Sequence, residues 1–199
     1  MKKFEEKKFN IPALKGISAK NIEEHLKLYS GYVKHVNLIL EKIDEMAKDS
    51  EKNAYALGEL QRRFGFEWGG MRNHEYYFAH FEGGPKTLAD GSILRSEIEA
   101  EWGSFDGWLA RFKAIALTRG VGWAMLYADK KTGRLVNGWV DEQHLGQLVD
   151  ASPILTLDMW EHSFVTDYQP SGKKNYVEDF FVNLNWQTAE ENYAASAGK

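Results

Sequence analysis

From Ile22 to Met46 the apolar residues Ile22, Leu26, Tyr29, Val33, Val36, Leu40 and Ile43 recur at alternating steps of four and three. An α-helix turns once in about 3.6 residues, so these positions fall on one stripe. They predict a long amphipathic helix, with Ser18 as its N-cap after the extended, proline-bearing NIPALKGI. The charged run KDSEKN, Lys48 to Asn53, reads as the turn of a helical hairpin. A second helix is predicted from about Ala54 to Phe81, loosened by Gly65 and by the Gly69–Gly70 pair in its middle. EGGPKT, Glu82 to Thr87, is the strongest break in the chain.

Leu88 to Thr118 returns to helical period, and GSFDGW, Gly103 to Trp108, looks like a junction between two helices. The period then changes. WAMLYADKKTGRLVNGWV, Trp123 to Val140, predicts two strands joined by a turn, and PILTLD, Pro153 to Asp158, a third, with the irregular loop DEQHLGQL between them. One final helical stretch, YVEDFFVNLNWQTAEENYAA, closes the pattern. The expected fold is α+β: an N-terminal helical hairpin domain over residues 1–84, then a C-terminal α/β domain over 85–199 with a three-stranded antiparallel sheet and surrounding helices.

Composition narrows the functions. With 43% hydrophobic and 14% aromatic residues in 199, the chain is too apolar to be disordered. A net charge of −4 offers no basic surplus for phosphates, which argues against nucleic acid as a partner. The opening MKKFEEKKF is charged and no apolar run approaches the ~18 residues of a membrane span, so a cytoplasmic protein with no signal peptide or anchor is expected. There is no cysteine, hence no disulfide, thiolate zinc site or iron–sulfur cluster. Any metal must be held by nitrogen and oxygen.

Three of the six histidines have settings that suggest ligation. His25 shares a helix face with Tyr29 and Tyr32. His74 lies among Trp68, Met71, Tyr77 and Phe78, and His162 follows Asp158 by four residues just after a strand. Taken singly, each has a plainer reading: a lone histidine on an apolar helix face is more often a hydrogen-bonded core residue, and D-x-x-x-H more often a solvated turn with a capping acid. His35 and His80 lack the aromatic company and keep that plain reading. Convergence of three histidines and one aspartate would be different, because burying so many ionisable groups without an ion is costly. By ligand type such a set suits Fe, Mn or Zn.

DMWEHSF with the strand before it, NHEYYF (Asn73 to Phe78), GVGWAML (Gly120 to Leu126), GSFDGW and the first-helix pattern H-x-K-L-Y-x-G-Y-V resemble the iron/manganese superoxide dismutases in order and spacing, over essentially the whole chain. The resemblance implies an enzyme converting superoxide to O2 and hydrogen peroxide by alternately reducing and oxidising one Fe or Mn ion. It implies His25, His74, Asp158 and His162 as metal ligands, with a water or hydroxide completing the site. Tyr32 would stand at the mouth of the substrate funnel, and Trp123 and Trp160 would wall the metal. Glu161 would contact a partner subunit's metal-ligating histidine, so a homodimer with Glu161 and His162 near its interface is expected.

Three departures stand out. His25 and Tyr32 are seven residues apart where the family usually has eight; an ungapped match would put Glu24 at the ligand position, and Tyr29 falls near where the family commonly has another histidine. Gly70 stands where the iron type usually supplies a glutamine, so the loop DEQHL would supply the donor instead, through Gln143 or, as the alternative, His144. Thr156 leans toward iron-using relatives, whereas Gly70 with a loop donor leans toward manganese. Two other readings fit part of the pattern: a superoxide-dismutase-like metal-binding protein without turnover, and a non-haem iron oxygenase, which normally keeps two histidines and one acid.

Overall fold

The computed structural model describes residues 2–196. The predicted apolar stripe forms α1 (Ala19–Met46), buried through Ile22, His25, Tyr29, Val33, Val36 and Ile39. Ser18 caps it, its side chain accepting from the Asn21 N–H, a contact typically worth about 1 kcal/mol. After a short turn, α2 (Ala54–Ala79) runs back along α1. Helices α3 (Ile93–Trp102) and α4 (Phe105–Ala116) follow. Gly103, at φ 82°, ends α3 in the left-handed conformation that glycine adopts without penalty, and the Ser104 side chain caps α4.

Strands β1 (Gly122–Asp129), β2 (Leu135–Asp141) and β3 (Ala151–Asp158) form one antiparallel sheet in the order β2-β1-β3. Central β1 is buried from Gly122 to Ala128, which is why its sequence is apolar at nearly every position rather than alternating. Helix α4 packs on β1 and β2, and α2 on β3. One continuous apolar core joins the helical hairpin to the sheet half through residues such as Phe78, Phe81, Trp123, Leu157 and Phe180.

Two expectations need correction. The final helical stretch is two helices, α5 (Lys173–Asn183) and α6 (Trp186–Ser196). Leu184 is extended, and Asn185 binds across to the end of α2: its N–H donates to the His80 carbonyl at 2.7 Å and its Nδ2 to the Glu82 carbonyl at 2.7 Å. Nor do the glycines loosen α2, which is continuous. A β-carbon on Gly69 would overlap the Gln143 carbonyl, and one on Gly70 would overlap the Tyr32 ring. These glycines make room for neighbours, and the tertiary contacts outweigh their low helix propensity of about 1 kcal/mol each.

Candidate metal centre

Four side chains from four places in the chain converge between the hairpin and the sheet. His25 comes from α1, His74 from α2, Asp158 from the end of β3, and His162 from the turn just after it. One ligand atom from each can be chosen so that all lie within 4.8 Å of one another. His25, His74 and Asp158 are fully buried, and His162 is 22% exposed on its side chain. The ring centroids of His25 lie 4.9 Å from His74 and 4.8 Å from His162.

The two carboxylate oxygens of Asp158 have different tasks. Oδ1 accepts the Trp160 N–H at 2.8 Å and so closes the turn that follows the strand. Oδ2 faces the Nε2 atoms of His25, His162 and His74 at 3.1, 3.2 and 3.6 Å. The DMWEH segment is therefore a capped turn and a convergence of ligand atoms at once. Burial opposes ionisation of Asp158, but the His162 and His25 imidazoles outweigh it and hold the carboxyl far below the usual carboxylate range.

His74 decides whether this set suits a cation. Its Nδ1 lies 2.6 Å from the Gly70 carbonyl oxygen, which can only accept, so Nδ1 carries the proton. Burial, with His25 beside it, pulls the imidazole down to about 3, so the ring is neutral and Nε2 is an unprotonated lone pair. That lone pair has no hydrogen-bond partner among the described residues and faces a buried carboxylate oxygen. Without a positive charge between them the arrangement is repulsive. With metal–ligand bonds of about 2.0–2.2 Å, ligand atoms spread up to about 4.4 Å apart, close to the observed cluster. Three imidazoles and one carboxylate fit one borderline or hard divalent or trivalent ion.

Beside the four lies a hydrogen-bonded chain. Trp123 Nε1 donates to Gln143 Oε1 at 2.9 Å, and Gln143 Nε2 donates to the Tyr32 hydroxyl oxygen at 2.9 Å. Gln143 is fully buried, and the Tyr32 ring lies 5.1 Å from that of His74. Burial first, and then Asp158 and Glu67, push the Tyr32 phenol well above its ordinary value. His144 stands outside this chain, with its ring against Phe66 at 5.8 Å and over Gly65. Trp123 meets His74 edge-on at 5.0 Å and Trp160 stacks on His162 at 5.7 Å, so both line the cluster.

The shortened spacing on α1 is absorbed without loss of the cluster. His25 is the α1 residue that reaches Asp158, while Glu24 is exposed and paired with Lys27. Tyr29 turns away from the four: its hydroxyl accepts the Lys7 N–H at 2.9 Å and donates to Glu75 at 3.3 Å. His35 lies half-exposed, 3.7 Å from Glu67, and His80 is buried apart from the four, against Thr156 of β3. Two contributors escaped the sequence reading. The Gly70 carbonyl, a backbone group, fixes the His74 tautomer. Asn73 donates to the Gln143 carbonyl at 3.0 Å and accepts from Gln147, tying the loop to α2; its place directly before His74 was the available signal.

Residues 90–192 match the family model described as iron/manganese superoxide dismutases, C-terminal domain. A superoxide dismutase [Fe] of Cupriavidus metallidurans is 36% identical over 190 residues, covering 92% of this chain and 91% of the relative. The chain belongs to the iron/manganese superoxide dismutase family. Other members bear the other metal's name: a superoxide dismutase [Mn] of Mycolicibacterium fortuitum is 34% identical over 178 residues, covering 88% of this chain and 83% of the relative. One of Mycobacterium leprae, also named [Mn], is 33% identical over the same shares. The α+β architecture agrees with this membership, and the buried His/Asp cluster fits the family's single Fe or Mn ion.

Proposed function

We propose that this chain is a superoxide dismutase in which His25, His74, Asp158 and His162 hold one iron or manganese ion, and in which Tyr32 and Gln143 handle the proton side of the reaction. The observation that carries the reading is the unprotonated Nε2 of His74 aimed at buried Asp158 Oδ2, with two further imidazoles on the same oxygen. When bound, the ion would take an electron from one superoxide and give it to the next, so that two superoxides and two protons yield O2 and hydrogen peroxide.

The chain's own residues orient ligands, protons and access. The Gly70 carbonyl keeps His74 in the tautomer that offers Nε2, and the Trp160 N–H holds Asp158 Oδ1 so that Oδ2 faces the imidazoles. Outer partners of this kind set ligand orientation and basicity. The Trp123 indole fixes which way the Gln143 amide points, leaving Nε2 as the donor toward Tyr32. Because its acidity is suppressed, the Tyr32 phenol keeps its proton at Oη at neutral pH and can pass it on only as another is supplied. Gln143, rather than His144, is the loop residue of choice for this role because it alone of the two bonds Tyr32.

We further propose a cytoplasmic homodimer joined across the face bearing Glu161, which is exposed beside partly exposed His162, and a division between hairpin and α/β domains near residue 84. No helix among the described residues is long and apolar enough to cross a membrane. The ligand assignment is tested by metal content: single alanine substitutions at residues 25, 74, 158 and 162 should each abolish stoichiometric Fe or Mn binding. A four-ligand site is refuted if any one of them leaves the ion bound as in the parent protein.

A further inference from the structure

Strand β3 lies at the edge of the sheet, so every second residue turns its backbone N–H and C=O away from β1. Met159 N–H donates to Gly122 O, which makes that pair the hydrogen-bonded one and turns the backbone groups of Asp158 and Thr156 outward. Side chains meet these outward groups. The Tyr176 hydroxyl donates to the Asp158 carbonyl at 2.9 Å, and Asn192 donates to that of Ile154 at 3.2 Å. The Thr156 N–H donates to His80 Nε2 at 3.2 Å.

His80 is an expensive way to meet that need. It is fully buried, and its Nδ1, which must carry the proton if Nε2 accepts, has no partner among the described residues. A polar side chain so fully buried calls for an explanation. Burial also pulls the imidazole down to about 3, so Nε2 stays available as an acceptor at neutral pH.

The geometry supplies the explanation. His80 caps the C-terminal end of α2, the helix that carries His74, six residues or roughly 9 Å of helical rise earlier. Thr156 lies two residues before Asp158 on β3, so the two share a face. The His80–Thr156 bond therefore closes a ring: along α2 from His74 to His80, across to Thr156, along β3 to Asp158, and back to His74 Nε2 at 3.6 Å. We infer that His80 is a positioning residue of the metal site, a strut between α2 and the edge of β3 that sets the separation of His74 from Asp158. This inference rests on the ligand set proposed above.

The test compares the metal-loaded parent protein with His80→Phe, His80→Gln and His80→Asn, and with Phe112→Leu as a core control in α4. Two quantities are read: the rate of metal release to EDTA, and the EPR spectrum of the Fe(III) form. Phe keeps ring volume without an acceptor, Gln offers an oxygen near the Nε2 position, and Asn offers one near Nδ1 instead. His80→Phe should release metal about tenfold faster and change the EPR rhombicity, since groups supporting ligands typically alter metal affinity by about 10–100-fold. His80→Gln should recover most of both, and His80→Asn should not. If His80→Phe fails to fold, the Gln and Asn pair still decides. Parent-like release and spectra in His80→Phe or His80→Asn would overturn the strut. So would a control of equal thermal destabilisation that shows the same changes. A parent protein that holds no ion, or an Asp158→Ala variant that holds it as firmly, would instead remove the ligand assignment itself.

Discussion

Gly70 and the ring of Tyr32 claim the same space: a β-carbon on Gly70 would overlap three carbons of the phenol ring. Tyr32 can reach Gln143 only because α2 carries no side chain there. Gly70→Ala should therefore push the ring away, lengthen or break the 2.9 Å Tyr32–Gln143 bond, and cost about 1–3 kcal/mol as an overpacking change. Urea denaturation and the superoxide-consuming rate should both fall. Gly70→Gln should be worse than Gly70→Ala, since a longer side chain would have to displace more of the Tyr32 ring. Equal stability and rate across the three proteins would refute this steric account.

Gln143 and its neighbour His144 should behave differently. Gln143→Leu strips the acceptor from the Trp123 indole and the donor from Tyr32, one buried and one partly buried bond, each typically worth about 1 kcal/mol in net terms. The dismutation rate should drop at least about tenfold, with a changed pH profile as Tyr32 loses its partner. His144→Ala should leave the rate within about twofold, because that ring packs on Phe66 and over Gly65 and makes no bond to Tyr32. A reversed order of effects would transfer the role to His144.

His80 makes stability depend on pH in a defined sense. Its folded value is depressed to about 3, whereas an unfolded imidazole titrates near 6.5. Below about pH 6.5 the unfolded chain gains a proton that the native fold refuses, so stability present above that pH is lost as the pH falls toward about 3. The limiting slope is about 1.4 kcal/mol per pH unit. Between pH 7.5 and 5.0, His80→Gln should lose about 2 kcal/mol less unfolding free energy than the parent protein. Identical losses would show that His80 is not held neutral by the fold.

Tyr29 offers a contrasting case near the site. Its hydroxyl anchors the N-terminal arm at Lys7 and bonds Glu75, and no ligand atom of the cluster. Tyr29→Phe should therefore cost about 1–2 kcal/mol of stability while metal content stays at the parent level. Loss of the ion on this substitution would place Tyr29 in the ligand support after all.

Much of the fold was legible because periodicity is local. The α1 stripe, the Ser18 cap and the three strands follow from residues within a few positions of one another. The break at Leu184–Asn185 was not, since apolar residues continue through FFVNLNW and what ends the helix is a set of bonds to His80 and Glu82, about a hundred residues away. The glycines of α2 misled for the same reason: their partners, Gln143 and Tyr32, are remote in sequence. For the site, spacing alone left His25, His74 and the Asp158/His162 pair as separate ordinary possibilities, and family resemblance joined them. His80 passed as an ordinary core histidine because nothing near it in the chain reveals that its ring meets the edge of β3.

The central claim is that His25, His74, Asp158 and His162 surround one redox-active ion that turns over superoxide. Its most direct test is the rate at which superoxide disappears in the presence of the Fe-loaded, Mn-loaded and metal-free protein. Catalytic loss with at least one loaded form, and none above background with the metal-free form, is the expected result. No loss with either metal would contradict it and leave a chain that binds an ion without dismutase turnover.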